Sequence, residues 1–255
     1  MIDKRPIGVF DSGIGGLTVL EVLMEKFPSE NFIYLADTYN CPYGEKSSAE
    51  VEKITTENSL FLNNMGIKAL VIACNTATAN SINLYKYLDI PIIGVIEPTA
   101  NYAKKVTTTN NIMVIATDLT ISLGNYQNCL KDQIVTAVKA SEFVKIVEEG
   151  KIEEEESFEI IKDKLSPHQN KNIDTIILGC THFPLLSKNI QKLFPSSNLV
   201  SSGLATADEL KKSIINNSEN NEQTLILFTT GSKEELINKI TWFTKKIDFI
   251  HEVTI

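Results

Sequence analysis

The chain reads as an α/β protein of two similar halves, each a mostly parallel sheet flanked by helices, with a site between them. Three observations predict this. Short apolar and β-branched runs alternate with amphipathic helical stretches, a pattern that calls for parallel strands joined by right-handed crossovers. A second is an internal echo: Val71-Ile-Ala-Cys74-Asn75-Thr76-Ala77 resembles Ile176-Ile-Leu-Gly179-Cys180-Thr181-His182-Phe183. The separation of those cysteines nearly equals that between Ile7-Gly8-Val9-Phe10-Asp11 and Ile112-Met113-Val114-Ile115-Ala116-Thr117. Two like half-units fit this spacing; generic α/β turns are the alternative for so short an echo. Third, 255 residues exceed one typical domain and fall short of three.

Taken in order, the predicted strands are Ile7–Phe10, Phe32–Leu35, Ala69–Ala73, Ile92–Ile96, Ile112–Ala116, Thr175–Gly179 and Leu225–Phe228. Each is a short apolar run of the kind buried on both faces of a parallel sheet. Helical patterns occupy Leu17–Lys26, Ser47–Met65, Pro98–Lys105, Thr120–Leu130, Phe143–Leu165 and Ser232–Lys246. The glutamates of 151–164 read as a solvated helix face. Asn216–Gln223, polar and turn-rich, reads as a loop. The expected domains are residues 1–97 with a returning segment 209–255, and residues 98–208.

Composition narrows the function. An apolar share of 43% suits a globular core, and no apolar run is long enough to span a bilayer. The first residues include Asp3, Lys4 and Arg5 with no secretory apolar segment after them, so a cytoplasmic location is expected. A net charge of −8 with scattered lysines argues against nucleic-acid binding. The cysteines, at 41, 74, 129 and 180, form no Cys-x-x-Cys pair and are expected to be free thiols. Zinc spacing and a Gly-x-Ser-x-Gly nucleophile turn are both absent from the sequence, and three histidines leave little for a multi-histidine metal site.

Several motifs fall where open α/β sheets place their ligands, after the carboxyl ends of strands. Phe10-Asp11-Ser12-Gly13-Ile14-Gly15-Gly16-Leu17 is a strand, a Gly-rich turn and a helix. It carries neither the dinucleotide fingerprint nor a P-loop lysine, and reads equally as a structural turn or a small-anion site. Asp11 heads that turn as a site carboxylate or an N-cap. Asp37 to Gly44 follows the second strand, with Pro42-Tyr43-Gly44 offering a phenol and a backbone N–H. Cys74 and Cys180 each end a strand before small polar residues. One such cysteine reads as core packing; two in matching contexts read as functional. A helix N-terminus at each would stabilise the thiolate, and lowering the pKa from about 8.5 to about 7 raises the thiolate fraction at pH 7 from roughly 3% to roughly half. His182 stands two residues past Cys180 and can tune it or hold a proton.

Ile7 to Leu17, Tyr34 to Asp37 with Pro42-Tyr43-Gly44, Ile72 to Ala77, Pro91 to Pro98, Ile177 to Leu185 and Phe228 to Gly231 follow, in order and spacing, a known pattern. Over nearly its whole length the chain resembles the glutamate racemases of the aspartate/glutamate racemase superfamily. The resemblance implies a two-domain enzyme that interconverts L- and D-glutamate without pyridoxal phosphate or a metal, supplies D-glutamate for peptidoglycan, and forms a homodimer. By position it implies that Cys74 and Cys180 are the two acid–base thiols, assisted by Asp11, His182 and Glu148. It also implies that Asp11, Ser12, Pro42, Tyr43, Gly44, Asn75, Thr76, Thr117, Thr181 and His182 hold the substrate. Two departures touch the second half's share of the pocket. Ala116 stands where the family often has Gly. Lys145, in Phe143-Val144-Lys145, stands where it often has Pro, ahead of Glu148, the match to the family's helix-start glutamate.

Three rival functions stand beside this one. A sister racemase acting on aspartate or another small amino acid would keep both thiols. A silent homologue that binds an acidic ligand, or a single-thiol lyase or decarboxylase, would have lost one; both are present.

Overall fold

The computed structural model describes residues 3–214 and 222–255. Most of the loop expected at 216–223 lies outside the described residues. The elements run β1 (Ile7–Asp11), α1 (Leu17–Lys26), β2 (Phe32–Ala36), α2 (Ser48–Asn64), β3 (Ala69–Ile72), α3 (Asn75–Ala79), β4 (Ile92–Gly94) and α4 (Ile96–Val106). Then come β5 (Asn111–Ala116), α5 (Asp118–Leu123), α6 (Asn125–Cys129), β6 (Ile134–Lys139), α7 (Glu142–Glu148), α8 (Glu155–Leu165), β7 (Thr175–Gly179), α9 (Ser187–Leu193) and β8 (Asn198–Val200). Last are α10 (Ser202–Ser213), β9 (Leu225–Thr229), α11 (Lys233–Lys239) and β10 (Phe249–Glu252).

These strands make two sheets, ordered β10-β9-β2-β1-β3-β4 and β6-β5-β7-β8, with every pairing parallel. The order β2-β1-β3-β4 in the first sheet recurs as β6-β5-β7-β8 in the second. The echo is therefore topological: β3, which precedes Cys74, corresponds to β7, which precedes Cys180. The C-terminal segment returns to the first sheet, where β9 pairs with β2.

Alternation along the strands builds a core on each face of each sheet. In β5, Ile112, Val114 and Ala116 pack with Ile96, Ala100 and Ala103 of α4. Met113 and Ile115 point the other way, toward Phe143 and Val147 of α7 and Ile161 of α8. In the first sheet Ile7 and Val9 meet α1 and α10, while Phe10 and Ile72 face Val51 and Leu62 of α2. Asp208 and Glu209, at the expected domain boundary, lie within α10, which packs on both α1 and α4.

Several predicted elements are shorter than their patterns. The helical stretch 120–130 breaks at Gly124, whose φ of 73° ends α5 in the left-handed conformation. The stretch 143–165 breaks between α7 and α8, with Gly150 at φ 70°. The stretch 232–246 is helical only through Lys239. The strand expected at 92–96 stops at Gly94 because Ile96 opens α4. Capping explains the starts that were legible: Ser47 and Glu50 form a capping box at α2, and Ser232 accepts the Glu235 N–H at α11. Strands β6, β8 and β10 went unpredicted. Each lies at a sheet edge with several half- or fully exposed residues, so none carries a clean buried run. No helix among the described residues is long and apolar enough to cross a membrane.

Candidate active site

Parallel strands bring their carboxyl ends to one edge of each sheet. Register sets Phe10 beside Ile72 and Ala116 beside Gly179, so the residues that follow, Ser12 with Cys74 and Thr117 with Cys180, leave equivalent edges of the two sheets. Those edges meet at a narrow, nearly closed gap with about 10 Å³ of free volume. It is lined by Ser12, Pro42, Tyr43, Gly44, Cys74, Asn75, Thr76, Thr117, Cys180, Thr181 and His182, with Val144 added. Asp11 and Glu148 stand behind this lining.

Cys74 caps α3: its Sγ accepts the Ala77 N–H at 3.4 Å and its S–H donates to Ser12 Oγ at 3.7 Å. The expectation that a helix N-terminus lowers its pKa does not hold. Burial disfavours the thiolate, the Asp11 carboxylate disfavours it further, and the single Ala77 N–H pulls less strongly the other way, leaving Cys74 pushed up to about 12. A helix of 5 residues offers little dipole to offset those effects. Cys74 is a thiol at neutral pH.

Cys180 differs. It is followed by a 3₁₀ turn over Phe183–Leu186, so no α-helix begins directly at this thiol. Its partner is a side chain: Cys180 Sγ lies 3.7 Å from His182 Nδ1. His182 Nε2 lies 2.8 Å from Glu148 Oε1, and Glu148 Oε2 accepts from Lys239 Nζ at 2.9 Å. Burial opposes a charge on His182, but its hydrogen bonds to Cys180 and Glu148 outweigh that and lift it to about 10. Burial likewise opposes ionised Glu148, and bonding to His182 and Lys239 outweighs it, taking the carboxyl to about 2. The imidazolium thus has both ring N–H groups engaged, one toward the sulfur and one toward a carboxylate. Glu148 closes α7 and does not begin a helix, contrary to the position the resemblance implied.

Asp11, fully buried, joins the halves. Its Oδ2 accepts the Gly13 N–H at 3.0 Å and its Oδ1 accepts from Thr181 Oγ1 at 3.0 Å. Burial raises its pKa, with nearby His182 opposing. The Gly-rich turn therefore serves close approach: a Cβ on Gly15 would sit 2.6 Å from both His182 Nδ1 and Thr181 Oγ1. Of the two readings left open for that turn, the structural one describes Gly13, whose N–H is taken by Asp11. On the other side the hydroxyls of Thr76, Thr117 and Thr120 form a triangle with edges of 3.0, 3.2 and 2.8 Å, again spanning the halves.

Tyr43 is held from below. Its hydroxyl donates to Asp37, and the Asp37 carboxylate also accepts from Asn58 Nδ2 at 3.0 Å, Asn40 Nδ2 at 3.0 Å and Thr230 Oγ1 at 2.6 Å. This buried hub pins the 37–44 loop and with it Pro42, Tyr43 and Gly44. Lys145 finds a partner in Glu45 at 2.8 Å, so the lysine at the family's Pro position ties α7 to that loop.

Sequence reasoning did not single out Thr120, Tyr126, Val144 or Lys239. Thr120 lies three residues past Thr117, one helical turn on, and was findable by that spacing. Lys239 lies on α11, distant in sequence from the Glu148 carboxylate to which it donates. No group of three or more His, Cys, Asp or Glu among the described residues is arranged to hold a metal ion.

Two like parallel sheets that meet at their strand ends, each presenting a buried free thiol to one pocket, define an α/β protein of the two-thiol, pseudo-symmetric class. The chain belongs to the Asp/Glu/hydantoin racemase family, whose model matches residues 18–210. It is 40% identical to a curated glutamate racemase of Bacillus cereus, over 98% of this chain and 97% of the relative. Among solved structures, glutamate racemase isoform RacE1 of Bacillus anthracis superposes with a TM-score of 0.93 at 36% identity, covering 99% of this chain and 98% of the other. Glutamate racemase of Francisella tularensis in complex with D-glutamate gives 0.89 at 30% identity, covering 99% and 98%.

Proposed function

We propose that this chain is a cofactor-independent glutamate racemase in which Cys74 and Cys180 act as the two acid–base groups. The observation that carries the reading is the pair of buried thiols lining one pocket from corresponding strand ends of two like sheets. Near-full-length similarity to glutamate racemases supports the choice of substrate.

Inverting a stereocentre in place needs one group to take the α-proton and another to deliver a proton to the opposite face. Cys74, protonated and bonded to Ser12, is suited to deliver. The His182 imidazolium beside Cys180 is a counter-charge for the thiolate form that takes the α-proton. After one turnover the sulfurs have exchanged roles, and the opposite enantiomer restores them. Asp11 serves the Cys74 side, and His182 with Glu148 the Cys180 side. Ser12, Asn75, Thr76, Thr117 and Thr181, with the Pro42-Tyr43-Gly44 turn, hold the amino and carboxylate groups. Preorganised donors toward the carboxylate lower the cost of charge building on it as the α-carbon loses its proton.

Residues 1–97 with 209–255 and residues 98–208 act as the two domains, closing on substrate between them. The enzyme works in the cytoplasm as a homodimer and supplies D-glutamate for peptidoglycan.

The test is chiral chromatography of dialysed protein incubated with each enantiomer of glutamate and of aspartate, with no cofactor or metal added. Racemisation of glutamate alone is expected. Comparable kcat/KM on aspartate would move the assignment to a broader racemase, and a strict requirement for pyridoxal phosphate or a metal would overturn the thiol mechanism.

A further inference from the structure

Asn75 follows Cys74 and leads α3, whereas Tyr126 belongs to α6 beside the second sheet. Both side chains are buried, and the Tyr126 hydroxyl donates to Asn75 Oδ1 at 2.7 Å. Asn75 lines the gap between the two thiols, and its Nδ2 is a buried donor that meets no acceptor among the described residues. A buried N–H without an acceptor is unfavourable, so this amide is poised for an incoming oxygen. The phenol that orients it is itself fixed. Its ring seats against Gly179, where a Cβ would lie 3.1 Å from Tyr126 Cε2, directly before Cys180. Burial keeps the phenol neutral, so its proton is available to Asn75.

We infer that Tyr126 is a positioning residue that reaches from the second half to lock the Asn75 amide with its NH₂ toward the pocket, making Asn75 a donor dedicated to a substrate carboxylate. The inference rests on the pocket binding an amino acid. An Asn amide presents an oxygen and a nitrogen of nearly equal size, and only its hydrogen-bond partner decides which one a ligand meets. With the oxygen committed to Tyr126, an ammonium group is rejected at this position and a carboxylate oxygen is accepted.

Two variants test this. Tyr126→Phe frees the amide to rotate, so KM for both enantiomers is expected to rise about 3–10-fold with kcat within about 2-fold, the pattern of lost uniform binding. An unchanged KM, whether with lowered kcat or with only a lower Tm, overturns the assignment. Asn75→Asp reads orientation independently of Tyr126. It places a carboxylate oxygen where the NH₂ is inferred, so D-glutamate binding by calorimetry should weaken by at least about 30-fold. If the amide faced the other way, the variant would keep the pocket-facing oxygen and bind D-glutamate as the parent does, which overturns the proposal. A parent enzyme that neither binds nor racemises glutamate sinks the functional reading instead, whereas a parent active on glutamate with both variants unaffected sinks the role of Tyr126 alone.

Discussion

Thr181 donates its hydroxyl across the cleft to Asp11, Oγ1 to Oδ1 at 3.0 Å, joining the residue after one thiol to the strand end beside the other. Both groups are buried, and the contact repeats in reverse sense where Thr76, from the first sheet, meets Thr117 of the second at 3.0 Å. Each half thus reaches into the other's site. Neither half holds a complete pocket, and geometry at one sulfur depends on the fold around both.

The two-thiol reading makes the mutants complementary. Cys74→Ser and Cys180→Ser are each expected to lower racemisation by about 10²–10⁴-fold, because one face loses its acid or base. With β-chloroalanine, chloride leaves once the α-proton is abstracted, and no reprotonation is needed. Each variant should then retain elimination from one enantiomer only, with opposite preferences; the family resemblance assigns the D-enantiomer to Cys74 and the L-enantiomer to Cys180. Pyruvate release from each enantiomer is the measurement, and loss of the same enantiomer in both variants would rule the opposed arrangement out.

The His182–Glu148 pair predicts a pH window of stability. His182 is raised from 6.5 to about 10, so its contribution is fully present below 6.5 and is lost as pH rises through 10. Glu148 is lowered from 4.5 to about 2, so its contribution is present above 4.5 and is lost as pH falls toward 2. The stability gap between the parent and Glu148→Gln should therefore be widest between pH 4.5 and 6.5 and close at both extremes. Urea denaturation across pH measures it, and a gap independent of pH would count against the charged pair.

Gly15 predicts that activity can be removed without unfolding. An alanine Cβ would crowd His182 Nδ1 and Thr181 Oγ1 at 2.6 Å and press on the second half, not on the core beneath the turn. Gly15→Ala should lose at least about 10-fold in kcat, since misplacing reacting groups by about 1 Å costs on the order of 10²-fold. Far-ultraviolet circular dichroism should stay native; an active Gly15→Ala enzyme would contradict the close approach.

Asp37→Ala is expected to act through stability. It strips the acceptor from the buried Tyr43 hydroxyl and from Thr230, and removes one of the two acceptors of the Asn58 amide. A loss of about 2–4 kcal/mol follows from leaving such groups unpaired, against less for the near-isosteric Asp37→Asn. Chemical denaturation separates the two.

The Lys145–Glu45 pair is half exposed, with side-chain exposures of 60% and 48%. A double-mutant cycle with Lys145→Met and Glu45→Gln should give a weak coupling that shrinks further in high salt. A larger, salt-insensitive coupling would mean that the pair governs the cleft.

Fold class and the correspondence of Cys74 with Cys180 were legible in the letters alone, and most of the pocket lining became legible through the family resemblance. Such features are local: apolar runs of strand length, polar residues immediately after them, and a strand–turn repeat that keeps its spacing. The sequence also marked the strand-end position of Asp11, since a carboxylate leading a Gly-rich turn is visible in a few letters. The features that were not legible are long-range. Lys239 reaches Glu148 and Thr181 reaches Asp11 through packing that brings distant segments together, and no local pattern announces either. The protonation of Cys74 went the same way. A helix start in the sequence suggested a thiolate, but burial and the Asp11 carboxylate, both products of the folded interior, keep the proton on. Desolvation and through-space charge depend on what surrounds an atom in three dimensions, and that is information a local stretch of sequence does not carry.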